Sequence, residues 1–186
     1  MLMSSRLLQI NQITEAPVFS RVFDPYVLLS INIERVEKAH TLYWRLQSPR
    51  HMIDVGIKSD TGELISLTIV LYRDLIRSSP AITAKTDGAT EGIPIFSLDC
   101  WQIKDPYDNS EYYSVHDGDF SICLKENDLW ITLYPDPIEN FVGLPGVILC
   151  LINHNGELCG FVIENLTQQE LDALRQFETL WAGLES

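Results

Sequence analysis

From Leu29 onward, apolar and polar side chains alternate along much of the chain, and a period of two places successive residues on opposite faces of a strand. Leu29, Ile31 and Ile33 alternate with Ser30, Asn32 and Glu34, and Leu42, Trp44 and Leu46 alternate with Tyr43, Arg45 and Gln47. Both stretches predict half-buried strands. A hairpin follows, with Ile53, Val55 and Ile57 on one arm and Ile65, Leu67, Ile69 and Leu71 on the other. A three-residue loop Asp60-Thr61-Gly62 closing Ser59 against Glu63 makes these sets face each other, with Gly62 at the left-handed bulge position.

A second hairpin is expected between Asp119 and Tyr134. A two-residue loop Glu126-Asn127 pairs Ile122 with Ile131, and brings Phe120, Ile122 and Leu124 to the face of Leu129, Ile131 and Leu133. The other face then sets Ser121 beside Thr132 and Cys123 beside Trp130. The third hairpin repeats the first, since Lys58-Ser-Asp-Thr-Gly-Glu-Leu64 aligns with Ile152-Asn-His-Asn-Gly-Glu-Leu158. With the same bulged loop, Asn153 pairs Glu157, Leu149 faces Phe161, Leu151 faces Cys159 and Cys150 sits opposite Gly160. A Cys150–Cys159 disulfide would need a one-residue slip that turns the arms over, so it is not expected. The alignment is offset by about half the chain, but one hairpin of a few residues is weak grounds for a duplication.

Beyond this hairpin the period changes. Thr167-Gln-Gln-Glu170 is a capping box, and Leu171, Leu174, Phe177 and Trp181 recur at helical spacing up to a plausible stop at Gly183. The whole predicts an α+β protein: a mainly antiparallel twisted sheet of β-hairpins with the C-terminal helix packed on one face. The chain, residues 1–186, reads as a single domain. Residues 73–92 lack apolar periodicity and read as a surface connection where two sheet halves meet.

Composition leaves this picture alone, but charge does not. Thirteen basic residues stand against 26 acidic ones, a formal net charge of −13. Residues 1–50 carry six basic and four acidic side chains, whereas residues 91–186 carry three and seventeen. Such a field repels phosphate backbones and anionic lipid headgroups, so no direct nucleic-acid or membrane partner is expected. The N-terminal residues show no signal-peptide pattern, and the longest apolar run, Val147 to Ile152, is far too short to span a bilayer. The expected location is the cytoplasm.

Candidate chemistry is sparse. Cys100, Cys123, Cys150 and Cys159 form no Cys-x-x-Cys pair and read as reduced, buried small hydrophobes. No metal site or cofactor is expected, and no catalytic residue is singled out. His116-Asp-Gly-Asp119 has the look of an acid–base cluster, but Asp117-Gly118 reads as a turn into the second hairpin. Nothing marks which two of the many acids would form a hydrolytic pair, so an acid-pair hydrolase is the third choice.

The acids are densest where tyrosines and a tryptophan interleave them. Trp101, Tyr107, Tyr112 and Tyr113 lie among Asp99, Asp105, Asp108 and Glu111, followed by Asp117, Asp119, Glu126 and Asp128 at turn-forming positions. Aromatic anchors flanked by acids suit a protein interface that meets Lys and Arg. The candidate partner-binding residues are therefore Asp105, Tyr107, Asp108, Glu111, Tyr112, Tyr113, Asp117, Asp119, Glu126 and Asp128, and the candidate partner is a basic protein. The alternative is an oligomer-forming module whose acidic surface serves solubility only.

Two segments carry a resemblance. Val55-Gly-Ile-Lys-Ser-Asp-Thr-Gly-Glu-Leu-Ile-Ser-Leu-Thr-Ile69, and Asn155-Gly-Glu-Leu-Cys-Gly-Phe-Val-Ile-Glu-Asn-Leu166 with its following helix, resemble parts of immunity proteins from bacterial contact-dependent and polymorphic toxin systems. The resemblance covers about a quarter of the chain and carries over no functional residue. It implies a non-enzymatic cytoplasmic inhibitor that neutralises one cognate toxin domain, often a basic nuclease, by stoichiometric binding.

Overall fold

The computed structural model describes residues 7–11, 18–23, 28–34, 41–72, 88–99, 113–118, 120–134 and 136–182. In chain order the strands are β1 (Leu7–Asn11), β2 (Val18–Val22), β3 (Leu29–Glu34), β4 (Thr41–Gln47), β5 (His51–Lys58), β6 (Leu64–Tyr72), β7 (Thr90–Glu91) and β8 (Ile93–Phe96). They continue with β9 (Tyr113–Asp117), β10 (Ser121–Lys125), β11 (Asp128–Thr132), β12 (Asn140–Leu144), β13 (Ile148–Ile152) and β14 (Leu158–Ile163), and the chain closes on helix α1 (Gln168–Ala182). The fold is α+β, mostly antiparallel sheet with one C-terminal helix.

Two six-stranded sheets dominate, in the orders β2-β3-β6-β5-β4-β9 and β10-β11-β14-β13-β12-β7. A short two-stranded piece pairs β1 with β8. The two large sheets are wound alike. Each starts with an antiparallel hairpin (β2-β3, β10-β11) and continues with a three-stranded meander (β4-β5-β6, β12-β13-β14). In each, the last meander strand returns antiparallel beside the second hairpin strand. Each sheet is then extended by a sixth, parallel strand from the connecting segment: β9 beside β4 and β7 beside β12. The repetition hinted at by one hairpin thus extends over five strands of each sheet. It also corrects one reading of residues 73–92, because Thr90 and Glu91 pair with Val142 and Gly143 and so belong to a sheet, while residues 73–87 lie outside the described residues.

The hairpin registers follow the alternation except where a bulge intervenes. In β10-β11 the expected register forms, with Ile122 opposite Ile131, Ser121 opposite Thr132 and Cys123 opposite Trp130. In β5-β6, Ile53 faces Ile69 and Val55 faces Leu67 as expected, and Gly62 is left-handed at φ 79°. The loop differs: Lys58 N donates to Glu63 O at 2.9 Å and Gly62 N to Lys58 O at 2.8 Å, so Lys58, not Ser59, closes against Glu63. The extra loop residue is absorbed by a bulge at Ile65, between the pairs Gly56–Ser66 and Ile57–Leu64. Leu64 therefore takes the buried place expected for Ile65.

In β13-β14 the loop is as expected, with Asn153 N donating to Glu157 O at 3.0 Å and Gly156 left-handed at φ 76°. The strands beyond it are displaced by one residue, because Cys159 bulges between the pairs Ile152–Leu158 and Leu151–Gly160. Leu149 consequently faces Val162, not Phe161, and Cys150 faces Phe161, not Gly160. Ile65 and Cys159 occupy equivalent places in the two aligned hairpins. Cys123, Cys150 and Cys159 are unbridged and buried, whereas Cys100 lies outside the described residues.

One apolar cluster draws on Leu29, Ile31, Trp44, Leu46, Val55 and Leu67 of the first sheet and on Ile122, Ile131, Cys150, Phe161 and Ile163 of the second. Leu171 and Leu174 of α1 join it, while the side chains of Phe177 and Trp181 lie outside the described set. The expected capping box forms: Glu170 N donates to Thr167 Oγ1 at 3.3 Å and Thr167 N to Glu170 Oε2 at 2.7 Å. The sheets differ on their other faces. That of the first is polar, with Ser30 bonded to Thr68 and Arg45 forked onto Asp54 at 2.8 Å. That of the second is a separate apolar cluster of Cys123, Trp130, Phe141, Leu149, Leu151, Cys159 and Val162, so β13 and β14 are buried on both faces.

Candidate partner-binding surface

Of the ten residues assigned to partner binding, Asp105, Tyr107, Asp108, Glu111, Tyr112 and Asp119 lie outside the described residues. Tyr113 and Asp117 are the first and last residues of β9, whose backbone pairs with Tyr43 and Gln47 of the first sheet. Asp117 therefore ends a strand, with Gly118 N donating to Gln47 O at 3.1 Å, and is not the turn into the next hairpin that its sequence suggests. Glu126 lies in the β10–β11 turn and Asp128 begins β11 at one end of the second sheet, where Glu126 is exposed and left-handed at φ 56°.

That end is built from several chain segments. Asp128 Oδ1 accepts from Asn165 N at 2.9 Å and Leu166 N donates to Asn127 O at 2.8 Å, which fastens the β14–α1 connection to the hairpin turn. Asn165 is itself left-handed, at φ 54°, a conformation that asparagine tolerates better than most residues. Glu164, 8% exposed, accepts from Gly146 N at 2.7 Å and so holds the β12–β13 turn to the same connection.

Into this arrangement reaches Arg21 from β2 of the first sheet. Its Nη2 donates to the carbonyl oxygens of Glu164 at 2.6 Å, Val147 at 3.0 Å and Gly146 at 3.3 Å, and its Nη1 to that of Asn165 at 3.2 Å. Glu170 lies 3.7 Å from Nη1, whereas Nε is buried without a hydrogen-bond acceptor. Burial lowers the pKa of the guanidinium, and Glu170, Glu164 and Asp128 oppose that shift. A planar, permanently charged fork suits such a set of carbonyls, which an ammonium would satisfy less completely. Asp128, Glu164 and Glu170 are thus engaged in holding the fold, and of the acids at this end Glu126 and Asp172 present the most exposed carboxylates.

The opposite end of the second sheet gathers acids around the β13–β14 loop. Asn153, 2% exposed, accepts from Asn155 N and Glu157 N at 2.9 Å each and donates through Nδ2 to Glu157 Oε2 at 3.0 Å and Asp136 Oδ2 at 3.3 Å. Asp136 and Glu139 are exposed beside it. Burial, with Asp136 and Glu157 nearby, pushes the Cys159 thiol up to about 11, and burial likewise raises Tyr134. Cys150 is raised by burial alone. These are inert thiols rather than nucleophiles.

Sequence reasoning missed Arg21, Glu164 and Asn153. Asn153 had a signal, since an Asn two residues before Asn155-Gly156 forms the side-chain turn seen here. Arg21 had none, because its acceptors are main-chain carbonyls more than a hundred residues away. Among the described residues no three His, Cys, Asp or Glu side chains converge as a metal-ligand set, and no helix is long and apolar enough to cross a membrane. A scan against protein-family models matches no family, and a search of curated proteins finds no match.

Proposed function

We propose that this chain is a non-enzymatic binding protein whose acidic second half docks a basic protein, and that the partner is a toxin domain which it neutralises in the manner of an immunity protein. The observation that carries this reading is the one-sided charge of the second sheet and its helix. Among the described side chains from Phe120 to Gln176, the acids Glu126, Asp128, Asp136, Glu139, Glu157, Glu164, Glu170 and Asp172 stand against Lys125 and Arg175 alone. Four of these acids, Asp128, Glu157, Glu164 and Glu170, hold the fold together, and Glu126, Asp136, Glu139 and Asp172 are the exposed ones.

Such a field accelerates encounter with a basic protein and disfavours acidic competitors. Carboxylates at Asp105, Asp108, Glu111, Asp117, Asp119 and Glu126 would meet the lysines and arginines that otherwise grip nucleic-acid phosphates, and Tyr107, Tyr112 or Tyr113 would supply desolvated anchors. A tagged copy in bacterial lysate should retain one basic partner near one-to-one, less of it at high salt. With that partner in hand, reversing the charges of Asp105, Asp108, Glu111 and Asp119 together should slow association on the order of tenfold and flatten its salt dependence. Unchanged kinetics would sink the assignment of this surface.

A further inference from the structure

The large hydrophobic side chains exposed among the described residues, Phe19 at 42% and Val22 at 48%, both lie on β2. Among the described residues β2 is an edge strand, pairing only with β3, and its five pairs from Val18–Glu34 to Val22–Ser30 run without a bulge. Edge strands are ordinarily blunted by an outward charge, a proline or a bulge. Here the single charge, Arg21, is drawn inward to the carbonyls of Gly146, Val147, Glu164 and Asn165, and the strand holds no proline.

We propose that β2 is a self-association edge, pairing antiparallel with β2 of a second copy about a two-fold axis at Ser20. The strand Val18-Phe19-Ser20-Arg21-Val22 reads self-complementarily in that register. Val22 of each copy pairs with Val18 of the other, Ser20 meets Ser20, and each Phe19 lies beside the Arg21 stem of the second copy. An isologous contact of this kind closes on itself and joins two six-stranded sheets into one of twelve. The strand itself offers a second copy no uncompensated charge, because Arg21 is already faced by Glu164 and Glu170 within the fold. The contact is made through β2 alone and does not depend on what the acidic half binds.

The test is the mass of the full-length protein in solution by light scattering and sedimentation, for wild type, Val22→Lys and Ser20→Cys. The wild type is expected to be a dimer that tightens as salt screens the net charge of −13, a salt dependence opposite in sign to that of docking a basic partner. Val22→Lys, at an exposed position, is expected to be monomeric while keeping a single cooperative unfolding transition, its midpoint lower only by the lost, concentration-dependent stabilisation of the dimer. S20C is expected to give a covalent dimer with a short thiol cross-linker, which wild type does not, because directly opposed Cβ atoms lie about 5 Å apart. A wild-type monomer at tens of micromolar would overturn the proposal and leave the edge to an extended segment of another protein. A dimer indifferent to Val22→Lys, or one in which S20C does not cross-link, would overturn it as well.

Discussion

Replacing Arg21 by methionine keeps the apolar stem of the side chain and removes the donor to four carbonyl oxygens. Those oxygens lie at the β12–β13 turn and the β14–α1 connection, so the loss should loosen the second sheet although the substitution is in the first. The expected cost is about 3 kcal/mol, the scale of stranding buried polar groups and an acid partner. Urea unfolding would show it as a lower midpoint with an unchanged slope, and a loss below about 1 kcal/mol would mean that water re-enters and satisfies the carbonyls. The buried thiols make a second prediction. An unfolded thiol loses its proton near 9, whereas Cys159 in the fold keeps it to about 11 and Cys150 is raised in the same direction. Between those values the native state binds more protons, so stability should be level below about pH 8.5 and fall as pH rises above 9. Thermal midpoints across pH 7 to 10.5 test this, and a Cys150→Ala, Cys159→Ala variant should lose part of the slope.

At the scale of elements, the strands legible in the sequence were those with unbroken alternation. β3 and β4 begin and end with their patterns, and β10-β11 keeps its expected register because a two-residue turn leaves no slack. Bulges at Ile65 and Cys159 were not legible, since an extra residue changes which side chains are buried without disturbing the strand character of the run. β2 escaped notice because Phe19 and Val22 fall on opposite faces and Arg21 points inward. In β12, Asn140-Phe-Val-Gly-Leu144 before Pro145 reads as a loop. β7, two residues long, has no period at all. Close approach also governs Gly160, where an added Cβ would stand 2.0 Å from Ile131 O on the neighbouring strand. Gly160→Ala should therefore push β14 from β11 and cost about 2–3 kcal/mol, the upper part of the overpacking range. A melting temperature within a degree of wild type would show that the sheet gives way without strain.

At the scale of the molecule, the fold class and the division of charge were legible, whereas the pairing of the two halves was not. Composition alone locates the acids, because charge needs no geometry to be counted. Which acids are at liberty to meet a partner is a tertiary fact: Asp128, Glu164 and Glu170 look no different in sequence from the exposed Glu126 and Glu139, yet Asn165 N, Gly146 N and the cap of α1 occupy them. The similar winding of the two sheets was legible only through one hairpin, because their other strands share topology without sharing residues. The exchange of edge strands bears on how the chain is made. β1 finds its mate in β8 and β4 is flanked by β9, so neither pairing of the N-terminal half can form until residues 93–96 and 113–117 have left the ribosome. During synthesis that half waits with its edges uncovered. The interval is long by folding standards, since chains grow at about 5–20 residues per second and sheets built from such distant partners close in about milliseconds to seconds. Nascent copies on neighbouring ribosomes of one message would be most exposed to mispairing in that window, so slowing translation between residues 72 and 117 should lower the yield of native protein.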